Sequence, residues 1–288
     1  MNTASTTYST QKPQDEGAVS DYVSLLKPRV MTLVVFSGIA GMWVAPGLSG
    51  MHPLLAVVSI VALALGAGAA GGVNMWYDRD IDAVMNRTKN RPIPAGRMHH
   101  NVVLAMGVFL GLFSTAFLWV LVNEMTALMA LAGYLFYTII YTFILKRRTV
   151  QNIVIGGAAG AFPPVVGWAA VQNSVADFTP WLMFLIIFLW TPPHFWALAL
   201  KKNTDYTNAG VPMLPVVKGV AETKSQIVYY MLLLLPVTLG ATALTPAFGW
   251  IYFTAAAGLG GVWLYKCVQL MRDDGVERAM DVFKFSLS

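Results

Sequence analysis

The sequence is poor in charge and in cysteine. Only 11% of its 288 residues are Asp, Glu, Lys or Arg, whereas 57% are apolar. Soluble domains average about 25% charged residues, so this chain lacks the polar surface that a water-soluble globule needs. Its single cysteine, Cys267, cannot form an intrachain disulfide. The composition therefore excludes an ordinary soluble domain and a disulfide framework, and it indicates a membrane protein.

The first 20 residues lack the patterns of known targeting segments. They are rich in Ser, Thr and Gln, without the apolar core of a signal peptide or the Arg-rich, acid-poor pattern of a mitochondrial transit peptide. We interpret residues 1–20 as a disordered tail and residues 21–288 as a single transmembrane domain. The absence of a targeting pattern favours a bacterial inner membrane.

What the sequence does contain is eight long apolar windows. Each can cross about 30 Å of hydrocarbon, and each is far longer than the roughly 10-residue alternating strand of a membrane barrel. Because only helices and closed barrels span lipid, the predicted fold class is an all-α polytopic membrane protein. The windows lie at 30–48, 54–76, 102–122, 126–145, 152–171, 178–200, 226–244 and 248–270.

Basic residues mark one side of this predicted bundle. All 19 Lys and Arg residues precede the first window, occupy alternate loops, or close the last window and the chain end; the other loops contain none. The positive-inside rule places the N-terminus and the long loops at 77–101 and 201–225 in the cytoplasm. Long loops often carry function, so the active site is expected on this face. The net charge of +5 then reflects topology and anionic head groups rather than nucleic acid.

One polar motif lies where the second window leaves the membrane. Asn74, Asp78 and Asp82 are spaced i, i+4, i+8 and drift only about 80° around a helix, so they share one face. Stacked oxygen ligands of this kind suit Mg²⁺, which takes one or two carboxylates and bridges to substrate phosphates. The alternative is a frayed helix end with solvated charges; Asn74 argues against it, because a polar side chain at membrane depth needs a partner.

Basic residues follow this acidic motif directly. Arg87, Lys89 and Arg91 could neutralise phosphate oxygens through charge-assisted hydrogen bonds. Asp80 points away from the shared face and is expected either at the surface or behind the site ligands. Acidic and basic groups together at a membrane interface predict a site for a diphosphate whose apolar tail lies among the helices.

The same residues carry a family resemblance. Asn74-x3-Asp78-x3-Asp82 resembles the first aspartate-rich motif of the UbiA-type intramembrane prenyltransferases. Four wider stretches, covering most of residues 22–288, resemble the haem O synthases within that superfamily. They are Leu26–Val30; Asn74–Arg97; Leu145–Asn152 with Pro163-Pro164 and Gly167-Trp168; and Thr191–Trp196 with Asp205-Tyr206 and Gly210–Pro215.

The resemblance implies a fold and a reaction. The fold would be a ring of about eight helices around a central cavity open to the cytoplasm and sideways to lipid, with a ninth helix beginning near residues 284–288. The reaction would transfer a farnesyl group from farnesyl diphosphate to a vinyl group of haem B, with addition of water, to give haem O. The product would pass to haem A synthase or to terminal oxidase assembly.

The resemblance also assigns site residues. Asn74, Asp78 and Asp82 would be the catalytic Mg²⁺ ligands. The superfamily usually has a second aspartate-rich motif after the sixth helix, where this chain has only Asp205 as an acid. Whether a second Mg²⁺ binds is therefore left open, and lysine contacts to phosphate could replace part of its role. The candidate diphosphate ligands are Arg87, Lys89, Arg91, Lys146, Arg147, Arg148, Lys201 and Lys202.

Aromatic residues and a histidine complete the candidate set. Tyr134, Tyr137 and Tyr141 form a stripe that could stabilise an allylic cation through ring faces or serve helix packing; Tyr141 is nearest the cytoplasmic end. His194 could ligate haem iron, or hydrogen-bond a backbone carbonyl that Pro192 and Pro193 free.

Two other functions remain open at this point. One is a prenyltransferase acting on an aromatic quinone precursor, which the weak second acidic motif disfavours. The other is a haem or isoprenoid carrier without catalysis, which has no need of a metal–diphosphate site.

Overall fold

The computed structural model describes residues 17–287, and these residues fold as a bundle of helices. Of the predicted tail, residues 1–16 lie outside the described part, and Val19 and Ser20 already belong to the first helix. The helices are α1 (Val19–Leu25), α2 (Pro28–Val44), α3 (Pro53–Tyr77), α4 (Arg79–Val84), α5 (His100–Leu121), α6 (Glu124–Leu135), α7 (Asn152–Gln172), α8 (Phe178–Lys201), α9 (Asn203–Asn208), α10 (Leu214–Val217), α11 (Gly219–Leu244), α12 (Trp250–Arg272) and α13 (Ala279–Phe285), with a 3₁₀ turn at Leu48–Gly50.

Within residues 17–287, seven helical segments are long and apolar enough to span a membrane. They become eight if α1 and α2, which meet at an angle of 53°, form one broken span. The prediction of an all-α polytopic membrane protein is therefore confirmed. The first window ends earlier than predicted, because the chain turns at Ala45 and forms the 3₁₀ segment.

The helices pack in a closed order. Helix α2 contacts α3 and α7, and the circle is completed through α5 and α6; α8, α11 and α12 continue the packing from the other side of α7. The approach of α2 to α7 depends on glycine. A Cβ atom added at Gly41 would lie 2.0 Å from the carbonyl oxygen of Pro164, and one added at Gly167 would lie 1.9 Å from that of Gly38. Small residues allow membrane helices to approach this closely.

The two long loops predicted to be cytoplasmic contain short helices. Helix α4 follows α3 after a break at Asp78, yet the backbone N–H of Asp78 still donates to Asn74 and that of Asp82 still donates to Asp78. The i, i+4 register therefore continues across the break. In the second loop, α9 and α10 pack beside the end of α8, which brings this loop to the same end of the bundle.

The helix that begins as α6 changes its winding before it ends. From Phe136 to Leu145 it is a π-helix, in which backbone hydrogen bonds join residues five apart. Such segments are rare and occur frequently at functional sites. This one ends directly before Lys146, at the same end of the bundle as the acidic motif.

Candidate active site

The acidic motif forms a buried row at the end of α3. Asn74, Asp78 and Asp82 are 3%, 0% and 2% exposed. The amide nitrogen of Asn74 donates to Oδ2 of Asp78 at 2.7 Å, so these two side chains lie on the same face as the spacing predicted. A frayed helix end with solvated charges does not describe this row.

Basic side chains from two other segments neutralise the buried carboxylates. Lys146 contacts Oδ2 of Asp78, and Arg91 donates to Oδ2 of Asp82 at 2.6 Å. Buried charges are tolerated when they are paired and hydrogen-bonded. The structure thus brings Asp78 and Asp82 together with three of the eight predicted diphosphate ligands, which are Arg91, Lys146 and, at a longer distance, Arg147.

Arg147 has a different main partner. Its guanidinium binds both carboxylate oxygens of Asp80 at 2.6 and 2.8 Å and the carbonyl oxygen of Tyr77 at 2.6 Å, and reaches Asp78 only at 3.4 Å. It also lies 4.4 Å from the centre of the Tyr77 ring. The bond from Arg147 lowers the pKa of Asp80, and the same bond raises the pKa of Arg147. Asp80 is 63% exposed as predicted, and its pairing ties the start of α4 to the end of the π-helix.

The remaining predicted phosphate ligands lie further out. Arg87, Lys89, Arg148 and Lys201 are exposed, and Lys202 is half-buried. Within the described chain, none of these five forms an ion pair with Asp78 or Asp82, and Lys89 donates to Asn86 at 3.2 Å. Their role as phosphate ligands stays a prediction.

Asp205 joins the second cytoplasmic loop to the first. It is buried, and its Oδ1 accepts a hydrogen bond from the amide of Asn86 at 3.2 Å. No three His, Cys, Asp or Glu side chains among residues 17–287 are grouped as a metal site. The described residues therefore do not contain a second acidic triad around Asp205.

Two residues that sequence reasoning missed contact Asn74. The ammonium group of Lys27 donates to Oδ1 of Asn74 at 3.1 Å, and the hydroxyl of Thr142 lies 3.3 Å from Nδ2. Lys27 precedes Pro28 in a left-handed conformation, with φ of 51°. Its stretch belongs to the resemblance described above and was the available signal. Thr142 gave none, because a threonine inside an apolar window is common.

The tyrosine stripe takes part in helix packing. The Tyr134 hydroxyl donates to the carbonyl of Gly107 at 3.1 Å, and its ring fills the space beside Gly111, so Tyr134 serves helix packing. Tyr137 and Tyr141 contact each other with ring centres 5.3 Å apart. The Tyr141 ring also fills the space beside Gly156, and its contact with substrate stays a prediction.

His194 lies in a different environment. Its Nδ1 is 2.6 Å from the Ser286 hydroxyl, and its ring is stacked between Trp190 and Phe283 at centroid distances of 4.2 and 4.6 Å. This geometry favours a structural hydrogen bond, with Ser286 directly after α13 as the partner rather than a carbonyl freed by the prolines. Contact of His194 with haem stays a prediction.

A shallow depression of about 520 Å³ lies away from the acidic row, among Trp250, Ile251, Thr254 and Ala255. These residues begin α12 at the opposite end of the bundle, and Ile251 is 90% exposed. An open surface without charged groups at that position suits lipid contact rather than chemistry. The paired carboxylates, which are buried and bring opposite charges together, define the candidate active site, and the predicted central cavity stays a prediction.

The acidic row has the ligand chemistry that Mg²⁺ prefers. Two carboxylates and one amide oxygen stand on successive turns, and Mg²⁺ completes such sets with water and substrate phosphate rather than with a cage of protein ligands. Basic groups lie against the same carboxylates. Asn74, Asp78 and Asp82 therefore fit a magnesium ion that also contacts phosphate.

An all-helical membrane bundle with a buried carboxylate row and basic residues at one end is the arrangement expected of an intramembrane enzyme that handles diphosphates. The sequence matches the profile of the UbiA prenyltransferase family over residues 34–288. The chain belongs to this family.

Three curated relatives of this chain share one name within the family. The chain is 48% identical to the protoheme IX farnesyltransferase of Hyphomonas neptunium over 279 residues, which cover 93% of this chain and 87% of that protein. It is 54% identical to the protein of the same name from Parvibaculum lavamentivorans over 250 residues, covering 86% and 77%. The corresponding protein of Symbiobacterium thermophilum is 52% identical over 261 residues, covering 90% and 86%.

Solved structures share the fold at low sequence identity. A UbiA homolog from Archaeoglobus fulgidus bound to GPP and Mg²⁺ aligns with a TM-score of 0.74 at 13% identity, covering 93% of this chain and 95% of that one. The apo structure of a UbiA homolog from Aeropyrum pernix K1 aligns with a TM-score of 0.66 at 16% identity, covering 90% and 93%. These structures confirm the fold that the resemblance implied.

Proposed function

We propose that this chain transfers a farnesyl group from farnesyl diphosphate to a vinyl group of haem B and thereby forms haem O. Its relatives at about 50% identity carry the name protoheme IX farnesyltransferase. The observation that carries the proposal is the pairing of two cations with the buried row of Asn74, Asp78 and Asp82. Lys146 pairs with Asp78, and Arg91 pairs with Asp82. A passive carrier of haem or isoprenoid has no use for this arrangement.

The diphosphate head group would bind where acidic and basic residues meet. Asn74, Asp78 and Asp82 would hold Mg²⁺, which acts as a Lewis acid and stabilises the diphosphate leaving group. Lys146 and Arg91 lie against the same carboxylates and can donate hydrogen bonds to phosphate oxygens as negative charge develops there. Arg87 and Lys89 stand at the exposed rim, where they would attract the polyanion.

The prenyl chain would lie among the apolar helices, so that its first carbon meets the acceptor near the tyrosines. The allylic C–O bond breaks and its electron pair leaves with diphosphate. The π electrons of the haem vinyl group then form the new C–C bond, and the resulting carbocation takes hydroxide from water, which releases a proton. Tyr137 and Tyr141 can stabilise the developing positive charge through their ring faces, and burial of the row limits access of water to the allylic carbon.

The protein would act from the cytoplasmic side of a bacterial inner membrane. Arg91, Lys146 and Arg147 flank the site, and the opposite end of the bundle carries no Lys or Arg in its predicted loops. The positive-inside rule then orients the N-terminus and the active site towards the cytoplasm. Farnesyl diphosphate would enter with its head group at the interface and its tail in the bilayer.

The test is a product assay on protein in lipid nanodiscs. Haem B and farnesyl diphosphate are supplied with and without Mg²⁺, and products are identified by mass. We expect haem O only with Mg²⁺, its loss in Asp82→Asn, and its retention in the matched control Asp281→Asn, which changes an exposed carboxylate of α13. If folded protein makes no haem O but prenylates 4-hydroxybenzoate, the function is prenylation of a quinone precursor instead.

A further inference from the structure

Thr142 occupies a defined place in the hydrogen bonds around Asn74. It is completely buried, and it comes from the π-helix, 68 residues away in sequence. Its hydroxyl donates to the backbone carbonyl of Tyr137 at 2.8 Å. Because a hydroxyl has one hydrogen, the oxygen of Thr142 is left only as an acceptor. The Asn74 group facing it must therefore be the amide NH₂, which lies at 3.3 Å.

The other end of the Asn74 amide faces a donor. Lys27 has three N–H donors and no acceptor, and its ammonium group lies 3.1 Å from Oδ1 of Asn74. An acceptor on one side and a donor on the other permit one orientation of the amide. The orientation of an asparagine amide follows from its hydrogen-bond network, and here the network directs the amide oxygen away from Thr142.

Asp78 also accepts a bond from the Asn74 amide nitrogen, at 2.7 Å. A carboxylate has several lone pairs and can accept this bond while it ligates a cation, but its position then depends on the cation as well as on Asn74. Thr142 holds the amide independently of the ion, because it is not a proposed metal ligand and its own donor is committed to Tyr137. It is the anchor that does not compete for the ion.

The winding of the π-helix makes this contact available. In an α-helix, residues five apart point about 140° from each other, so Thr142 would face away from Tyr137. In the π-helix Phe136–Leu145, bonding from i to i+5 places residues five apart about one turn apart. Thr142 therefore lies on the side of the helix that carries Tyr137.

We propose that Thr142 is a positioning residue, which fixes the Asn74 amide so that its oxygen, one lone pair of which accepts from Lys27, keeps its second lone pair for a metal ion. The inference rests on the proposed function, since it concerns the same site. Residues that orient metal ligands typically contribute 10- to 100-fold to metal affinity. Loss of the Thr142 hydroxyl should therefore weaken metal binding about tenfold or more.

The experiment measures metal affinity directly. Mn²⁺ is titrated into the protein in nanodiscs with inorganic diphosphate present, and free Mn²⁺ is read by electron paramagnetic resonance. We expect Thr142→Val to raise the dissociation constant about tenfold or more, and Thr142→Ser to remain within about twofold of wild type, because serine keeps the hydroxyl. The matched control is Thr138→Val, which removes a buried hydroxyl from the same π-helix; that hydroxyl bonds only the backbone carbonyls of Tyr134 and Leu135.

A second comparison separates positioning from general damage. In an Asn74→Ala background there is no amide to orient, so Thr142→Val should cause no further loss of Mn²⁺ affinity. The proposal is overturned if Thr142→Val binds Mn²⁺ like wild type, if Thr138→Val weakens binding equally, or if the two losses add. Failure of the wild-type protein to bind Mn²⁺ would instead overturn the proposed metal site.

Discussion

Removal of the Asp78 carboxylate should cost stability as well as activity. Its side chain is fully buried and faces Lys146, Arg147 and the Asn74 amide. In Asp78→Ala, Arg147 keeps Asp80 and the Tyr77 carbonyl, but Lys146 loses its carboxylate. Breaking a buried ion pair by removing one partner costs about 3–5 kcal/mol. Lys146 is 16% exposed and can reach some water, so we expect the lower end, about 3 kcal/mol.

A second substitution tests the physical reason. Lys146→Met removes the unpaired charge while it keeps most of the side-chain volume, and replacing a whole buried pair by apolar groups is often neutral. The double variant Asp78→Ala/Lys146→Met should therefore be more stable than Asp78→Ala alone, by about 2 kcal/mol. Both should be inactive, because both lack a carboxylate of the proposed metal site.

The chain contains a natural probe for this measurement. Its single cysteine, Cys267, is completely buried in the packing of α12, so a thiol-reactive fluorogenic dye reports unfolding during heating. At roughly 2–4 °C per kcal/mol, Asp78→Ala should melt about 6–12 °C below wild type, and the double variant should recover more than half of the loss. An Asp78→Ala protein that melts with wild type, or a double variant that melts lower still, would refute the charge-pairing argument.

Three further predictions concern contacts outside this pair. Because the pKa of Asp80 lies below 3.8 in the folded state, the Asp80–Arg147 pair stabilises fully above that pH and less as pH falls through it; wild type should lose more thermal stability than Asp80→Asn between pH 5 and pH 3. If Asn86 and Asp205 act through their shared hydrogen bond, Asn86→Ala, Asp205→Ala and the double variant should form haem O at similar reduced rates, whereas additive losses would contradict this. Gly41→Ala should destabilise by about 1–3 kcal/mol through overpacking on Pro164, while Gly240→Ala, with no atom within 4 Å of the added Cβ, should melt like wild type.

The sequence predicted those features that depend on local periodicity. Apolar windows identify spanning helices because every backbone polar group must be satisfied inside lipid, and windows such as 152–171 match the observed α7 closely. The spacing of Asn74, Asp78 and Asp82 predicted a shared face, and the register survives the break at Asp78 because the backbone bonds continue. Helix α1 was missed, since Val19–Leu25 is short and lies at the start of the bundle.

The contacts that complete the site could not be predicted in this way. Lys27 and Thr142 lie 47 and 68 residues from Asn74, and no periodic pattern relates them to it. Arg147 adjoins Lys146, and both were predicted to bind phosphate. In the structure Lys146 pairs with Asp78, whereas Arg147 pairs mainly with Asp80. Neighbouring residues at a helix end point in different directions. The sequence alone therefore cannot show that two adjacent cations have different partners.

Charge pairing explains how the site can be both buried and reactive. The carboxylates of Asp78 and Asp82 are matched by Lys146 and Arg91, so the four side chains form a formally neutral set. A divalent cation alone would leave this set with uncompensated positive charge, and a diphosphate alone would leave uncompensated negative charge; either is costly at low dielectric. In the proposed function, metal and diphosphate bound together would largely cancel, with Asp78 and Asp82 holding the metal and with Arg91 and Lys146 contacting the phosphate oxygens. The arrangement would therefore favour joint binding of metal and diphosphate. The Thr142–Asn74 contact and the Asp80–Arg147 pair need not exchange partners, so they would keep the proposed ligands in place meanwhile.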